Sequence, residues 1–467
     1  MKSRLERLLE LDLPREWHLT AALLAAWTCV TAFSMLICGT GFIHPESCAF
    51  LPHYLSDRPL LEKLYDARVT ELGLYAAREL ALLFDWIDCQ FIGWSVAQGR
   101  PHFFSICHHG WMLLAGLLLA RVCRALGSRR VEALGWTLLL WTGPSAMLHT
   151  SYFRNAKPAL LCCALACLLV WLGSREKAAS WLRTLLFGLL ALLMPFCDKQ
   201  GLVFLAGAVL FLGLFRQWRL LGAALAAFGI AYMYQGWIGP ALVRHFNGYE
   251  LDLSYASLGG TLRSALANPA QSIQSLLVTP LMALDSYRFV LGAMPVGIAL
   301  ASVVIVVSAQ RNRRASALLW LWALGSWFLM QLVSPWLFST EHRRFYYPLA
   351  FGAVWLPWVV TAVNQAAWRR WLPVLIAIAL VSNVFALQDH RSLMRNGYFE
   401  RWFRHAERWT MLVRPENIRA QGITPVEARE LLPKSQAPVL PEVYPPPIRE
   451  DRLFLFFLSR LEAAPKP

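Results

Sequence analysis

Residues 154–177 read RNAKPALLCCALACLLVWLGSREK. From Pro158 to Ser174 there is no charged side chain. A run of this length and composition approaches the roughly 20 apolar residues that cross the hydrocarbon core of a bilayer. Two cations, Arg154 and Lys157, open it, and Arg175 and Lys177 close it. Runs of the same kind recur along the whole chain of 467 residues, 57% of which are hydrophobic. Only 16% are charged, against roughly a quarter in soluble proteins. Mean hydropathy is +0.44. These values exclude an intrinsically disordered chain and argue against a soluble enzyme. The class they indicate is an all-α polytopic membrane protein.

Eleven spans are expected, at about 17–43, 103–123, 132–153, 157–174, 181–197, 200–216, 219–242, 287–308, 316–338, 344–364 and 370–388. The first is too long for a signal-peptide core and has no convincing cleavage site, so it reads as an uncleaved helix. The pair 181–197 and 200–216 is short and tightly joined, as in a hairpin or re-entrant pair. Orientation follows from Lys and Arg in short loops. Six segments fall on one side if the N-terminus is cytoplasmic. They carry Lys2, Arg4, Arg7 and Arg15; Arg121, Arg124, Arg129 and Arg130; Arg175, Lys177 and Arg183; Arg216 and Arg219; Arg311, Arg313 and Arg314; and Arg369 and Arg370. This placement accounts for much of the net charge of +15 without nucleic acid as a partner.

The other side then carries long loops at about 44–102 and 243–286 and a tail from 389. The transmembrane domain is therefore 1–388 and the small extramembrane tail 389–467. The tail holds a Pro-rich stretch, Pro438 to Pro447, and a short apolar segment, Leu453 to Leu458. No internal repeat is evident, which disfavours inverted-repeat transporters. Of the ten Cys, eight fall in or at the ends of apolar runs and read as packing residues. Cys48 and Cys89 share the first outer loop, where a disulfide between them is one option. No HExxH, Walker A, GxGxxG or GxSxG pattern occurs.

The first outer loop is the most informative segment. Residues 66–98 lack Pro and space their apolar residues as an amphipathic helix on the membrane surface does, with a break expected near Gly73. The stretch is acidic, with Asp66, Glu71, Glu79, Asp85 and Asp88. In a continuous helix Glu71, Arg78 and Asp85 share a face, with Tyr75 one turn from both Glu71 and Arg78. A solvated polar face explains this as simply as a site does. Alternatively, Asp66 and Glu71 suit a general base and its partner, or a divalent cation such as Mg2+ or Mn2+.

Cations on this side are the exception to the charge rule. Arg154, Lys157, Lys199, Arg343 and Arg344 lie in very short outer connections, beside Asn155, Gln200 and His342. Snorkelling at span ends is the plain explanation. Convergence of three hairpins would instead make a site for a phosphate headgroup whose lipid tail stays in the bilayer. Asp198 sits in the same turn as Lys199 and Gln200, and a local Asp–Lys pair is the simplest expectation there. Glu341, His342, Arg343, Arg344, Tyr346 and Pro348 form the densest polar cluster next to a span.

These segments resemble the C superfamily of glycosyltransferases, which includes protein O-mannosyltransferases and the aminoarabinose transferases of lipid A. Asp66-Ala-Arg-Val-Thr-Glu71 followed by Tyr75-Ala-Ala-Arg78-Glu79 is similar to that family's acidic motif, here with four residues between the acidic pair. Arg343-Arg344-Phe-Tyr346-Tyr347-Pro348 resembles its late phosphate-contacting element, and Asp198-Lys-Gln-Gly201 a polar turn between its mid-chain spans. The resemblance implies inverting transfer of a sugar from a polyprenyl-phosphate carrier to a glycan, lipid or protein acceptor. Asp66 would be the base and Glu71 its partner or the alternative base. Arg343, Arg344, Lys199, Arg154 and Lys157 would hold the phosphate. The expected location is a bacterial inner membrane with a periplasmic tail. Competing expectations are a transporter or flippase of a lipid-linked anion, an O-antigen polymerase or ligase, and a membrane scaffold.

Orientation is testable by fusion. Alkaline phosphatase joined after Gln388 is expected to be active in a bacterial host, and after Arg129 inactive. The reverse pattern would invert the topology.

Overall fold

The computed structural model describes residues 12–38, 53–66, 77–98, 105–142, 155–174, 180–198, 200–250, 360–361, 363–364 and 369–381. Among these residues 86% are helical and no strand occurs. Ten helices follow in chain order: α1 (Glu16–Cys38), α2 (Leu60–Leu64), α3 (Glu79–Ala97), α4 (Ile106–Ala125), α5 (Arg130–Thr142), α6 (Ala156–Leu172), α7 (Trp181–Cys197), α8 (Gln200–Leu214), α9 (Trp218–Met233) and α10 (Gly239–Asn247). A π-helical turn, Tyr234–Ile238, joins α9 to α10, so the helix expected at 219–242 runs on to Asn247. A 3-10 turn, Arg369–Trp371, opens a helical segment at 372–381.

Two described helices are long and apolar enough to cross a membrane, Ile106–Ala125 and the continuous Trp218–Asn247. Ala156–Leu172, Trp181–Cys197 and Gln200–Gly213 are apolar but shorter. The expected spans 287–308 and 316–338, and the tail 389–467, lie outside the described residues, as does nearly all of 344–364.

Local chemistry sets the helix ends. Ser105 caps α4 by accepting from the His108 N–H, and Ser180 caps α7 by accepting from the Arg183 N–H. Gly127 ends α4 in the left-handed region at φ +89°. There the N–H groups of Gly127 and Ser128 reach back to the carbonyls of Arg124 and Cys123 at 3.0 Å each, the paired bonds of a Schellman turn.

α6 is apolar on all sides and supplies much of the core, packed between α4 and α7. A helix without a polar face belongs in the centre of a bundle or in a membrane. α9 packs on α7, and α5 bridges α1 and α4. α7 turns Trp181, Leu182, Leu185, Leu186, Leu189 and Leu193 outward. An apolar face of this kind needs a non-aqueous neighbour. Trp141 is fully buried, donates its indole N–H to the Met112 carbonyl at 2.7 Å and lies against Trp27. Its ring occupies the space over Gly116, which only the missing side chain leaves open.

Charge gathers at the two ends of this bundle. At the Arg124 end, Glu16 accepts from Arg124 and Arg130 at 3.1 and 3.0 Å, with Arg121 at 3.8 Å. The buried Glu132 carboxylate binds Arg129 and Arg369, each at 2.8 Å. Arg121, Arg124, Arg129, Arg130 and Arg369 therefore meet at one end, although they come from two segments far apart in the chain. At the opposite end lie the starts of α4 and α6 and the end of α7.

Cys89 is a buried free thiol on α3, and Cys48, the partner considered for it, lies outside the described residues. Cys123, Cys162, Cys163, Cys167 and Cys197 are buried packing residues, whereas Cys29 is exposed.

Gly116→Ala would drive its Cβ to 2.2 Å from the Trp141 ring. Overpacking of this order should cost about 2–3 kcal/mol, read as a lowered melting temperature in detergent. An unchanged melt would mean that Trp141 has room to move.

Candidate functional site

The helix expected through 66–98 is interrupted. α3 begins only at Glu79, and Ala77 just before it has φ +49°, a left-handed conformation uncommon for a residue with a Cβ. Arg78 therefore does not share a helical face with Asp85, contrary to the heptad expectation. Released from the helix, Arg78 reaches Asp198 instead, with Nε 3.5 Å from Oδ2.

Asp198 is the centre of a buried charge cluster at the turn between α7 and α8. Lys157 Nζ, from the first turn of α6, lies 3.0 Å from the same oxygen, and both side chains are almost completely buried, at 1% and 0% exposed. The other oxygen accepts the Gln200 backbone N–H at 2.9 Å, fixing the turn. Gly201 closes it, since a Cβ there would meet the Met194 backbone at 2.4 Å. Asp198 thus pairs with cations from two distant segments, and Lys199, the local partner expected for it, lies outside the described residues. Burial alone would push the Asp198 carboxyl up. The adjacent Lys157 ammonium and Arg78 guanidinium outweigh that and hold it at about 2.

Two residues before Lys157, Asn155 organises a second group. It stands at the N-cap of α6 but makes no side-chain cap bond. Its backbone N–H and its Nδ2 both donate to Asp85 Oδ1, at 2.8 and 2.9 Å, and Nδ2 also donates to Asp88 Oδ2 at 2.9 Å. Ser105 Oγ and the Cys107 backbone N–H donate to Asp88 as well. Asp85 and Asp88 are the i,i+3 neighbours expected on one helix, and both are buried. Burial holds the Asp88 carboxyl above the usual range, because its donors offset only part of the desolvation. Asn155 Oδ1 and both polar atoms of the Gln200 amide are buried without a hydrogen-bond partner among the described residues. An unmet buried polar atom costs about 1–3 kcal/mol, so these groups suit polar substrate atoms or water.

Asp66 belongs to a separate, more open group. Its Oδ2 accepts from Arg58 Nη1 at 2.8 Å and its Oδ1 from the Tyr249 hydroxyl at 3.1 Å. A guanidinium is a donor only and cannot ligate a metal. Among the described residues no group of three or more His, Cys, Asp or Glu side chains could hold a metal ion.

Of the residues singled out in the sequence, Arg78, Lys157, Asp198 and Gln200 come together, and Asp66 stands with Arg58 and Tyr249. Glu71, Tyr75, Arg154, Lys199, Glu341, His342, Arg343, Arg344 and Tyr346 lie outside the described residues. His108 and His109 are buried at the start of α4, where His109 Nδ1 pairs with the Ser105 carbonyl at 2.8 Å. Sequence reasoning missed Arg58, Ser105, Asn247 and Tyr249. Asn155 was noticed only as a neighbour of the cations. A polar residue opening an apolar run was its only signal. Comparison with protein-family models, characterised proteins and solved structures gave no match.

Asp198→Asn leaves two cations buried against a neutral amide. The expected loss is about 3–5 kcal/mol of stability. Because the native carboxyl is depressed, its contribution is complete above about pH 4 and lost as pH falls through its native value. The melting difference between wild type and Asp198→Asn should therefore be constant above that range and shrink on acidification. A difference that grew on acidification would refute the assignment.

Proposed function

We propose that this chain is a polytopic membrane glycosyltransferase, with about eleven spans, that moves a sugar from a polyprenyl-phosphate carrier to an acceptor hydroxyl on the outer face of a bacterial inner membrane. One observation carries the reading. Carboxylates, cations and amides from the first long loop and from two separate hairpin turns converge at a single end of an apolar bundle. A scaffold has no need to bury charge at that cost.

In this reading Asp66, with Glu71 as partner or alternative base, takes the proton of the acceptor hydroxyl. The freed oxygen attacks the anomeric carbon, and the bond from that carbon to the phosphate oxygen breaks. The electron pair leaves with the polyprenyl phosphate, and the anomeric centre inverts. Cations stabilise the departing phosphate charge. That role falls to Arg343, Arg344, Arg154 and Lys199, with Tyr75, Glu341, His342 and Tyr346 around them. Lys157 and Arg78 hold Asp198, which in turn holds the Gln200 backbone N–H. The unspent amide of Gln200 can both donate to and accept from sugar hydroxyls.

The test is release of free polyprenyl phosphate by purified protein given a panel of polyprenyl-phosphate sugars. Wild type should release it, and Asp66→Asn or Glu71→Gln should reduce release by about 100-fold or more, the scale of a lost general base. Tight lipid binding without turnover, unchanged in both variants, would favour a carrier of lipid-linked anions instead.

A further inference from the structure

The segment after α9 returns to the first outer loop and closes on Asp66. Tyr234, in the π-helical turn, places its hydroxyl 2.7 Å from that of Tyr65. Phe246 of α10 stacks on Tyr65 with ring centroids 5.5 Å apart. Asn247 donates to the Glu62 carbonyl at 3.1 Å and accepts from Arg58 Nη2 at 2.6 Å. Gly248, at φ +70°, ends α10 in the left-handed region, with its N–H on the Arg244 carbonyl. That reversal brings Tyr249 back to Asp66.

We propose that Arg58 and Tyr249 are positioning residues for the Asp66 carboxylate, with Asn247 holding Arg58 in turn. The proposal rests on the reading of Asp66 as the base. Its physical content is orientational. A base works only when its lone pair meets the hydroxyl at about 2.6–3.2 Å, and a free carboxylate rotates about its last bond. Arg58 donates to Oδ2 and Tyr249, 183 residues away in the chain, donates to Oδ1. Arg58 cannot drift, because its Nη2 is bound by Asn247 and its Nε lies 3.4 Å from Glu62. The Tyr249 hydroxyl at 3.1 Å shows that Oδ1 is reachable by a hydroxyl at hydrogen-bonding distance. Supporting contacts of this kind hold a reactive group to within a fraction of an ångström.

The experiment uses full-length protein in vesicles of total bacterial lipid, which carry candidate acceptors, supplied with undecaprenyl-phosphate sugars. Tyr249→Phe, Arg58→Gln, Arg58→Lys and Asp66→Asn are compared with wild type. A hydrogen bond to a charged group corresponds to about a 10- to 100-fold change. Tyr249→Phe and Arg58→Gln should lose that much kcat, with KM for the lipid sugar and the melting temperature little changed. Arg58→Lys, which keeps the charge and one donor, should recover part of the loss. If Asp66→Asn is inactive while Tyr249→Phe and Arg58→Gln keep wild-type kcat, the positioning proposal fails and the reading of Asp66 stands. A lowered melting temperature with kcat preserved in the folded fraction would make the clasp purely structural and also overturn the proposal. Full activity of Asp66→Asn, or no release by wild type, overturns the base assignment and the positioning role together.

Discussion

Asn155 and Lys157, two residues apart at the start of α6, hold buried carboxylates that belong to different parts of the chain. Asn155 binds Asp85 and Asp88 on α3, and Lys157 binds Asp198 beyond α7. α6 itself has apolar residues on every side. Dispersion and apolar burial are non-directional, so a helix of this kind could slide or turn among similar neighbours at little cost. The charged turn removes that freedom. Separating any one partner would leave a charge in a low-dielectric interior, and that penalty is several kcal/mol.

The opposite end works by the same rule. Glu132 is buried between Arg129 and Arg369, and Glu16 collects Arg124 and Arg130. Helices that are interchangeable along their apolar lengths are thus specified at their ends. The end that carries Asp198 contains two buried amides, at Asn155 and Gln200, with polar atoms unpaired among the described residues, and Asp66 has a donor on each oxygen. Polar groups used only to hold helices together are ordinarily satisfied. The surplus at this end is what makes it the candidate site.

Much of the helical layout was legible in the chain. The run 181–197 and the start of the next helix at 200 coincide with α7 and α8, because apolar length and the polar residues between runs are local properties. The i,i+3 relation of Asp85 and Asp88 was equally local. The break expected near Gly73 lies outside the described residues, and the one just before α3 has no mark in the sequence. It falls at Ala77 and Arg78, where neither Gly nor Pro announces it, and tertiary pairing of Arg78 with Asp198 accompanies it. α10 was taken partly for the end of a span and partly for loop, since the π-helical turn that carries α9 into it has no compositional mark.

Sequence by itself determined that this chain is helical, rich in apolar runs and equipped with charge only near their ends, because each of those properties depends on neighbours within a few residues. It also pointed to Asp66, Arg78, Lys157, Asp198 and Gln200 as residues whose burial would need explaining. Only the tertiary structure decided which charge meets which. Arg58 reaches Asn247 across 189 residues and Tyr249 reaches Asp66 across 183. No periodicity spans such a distance. The pairing depends instead on where α9 and α10 leave the bundle, and on the rule that a buried charge must find a partner wherever the fold brings one.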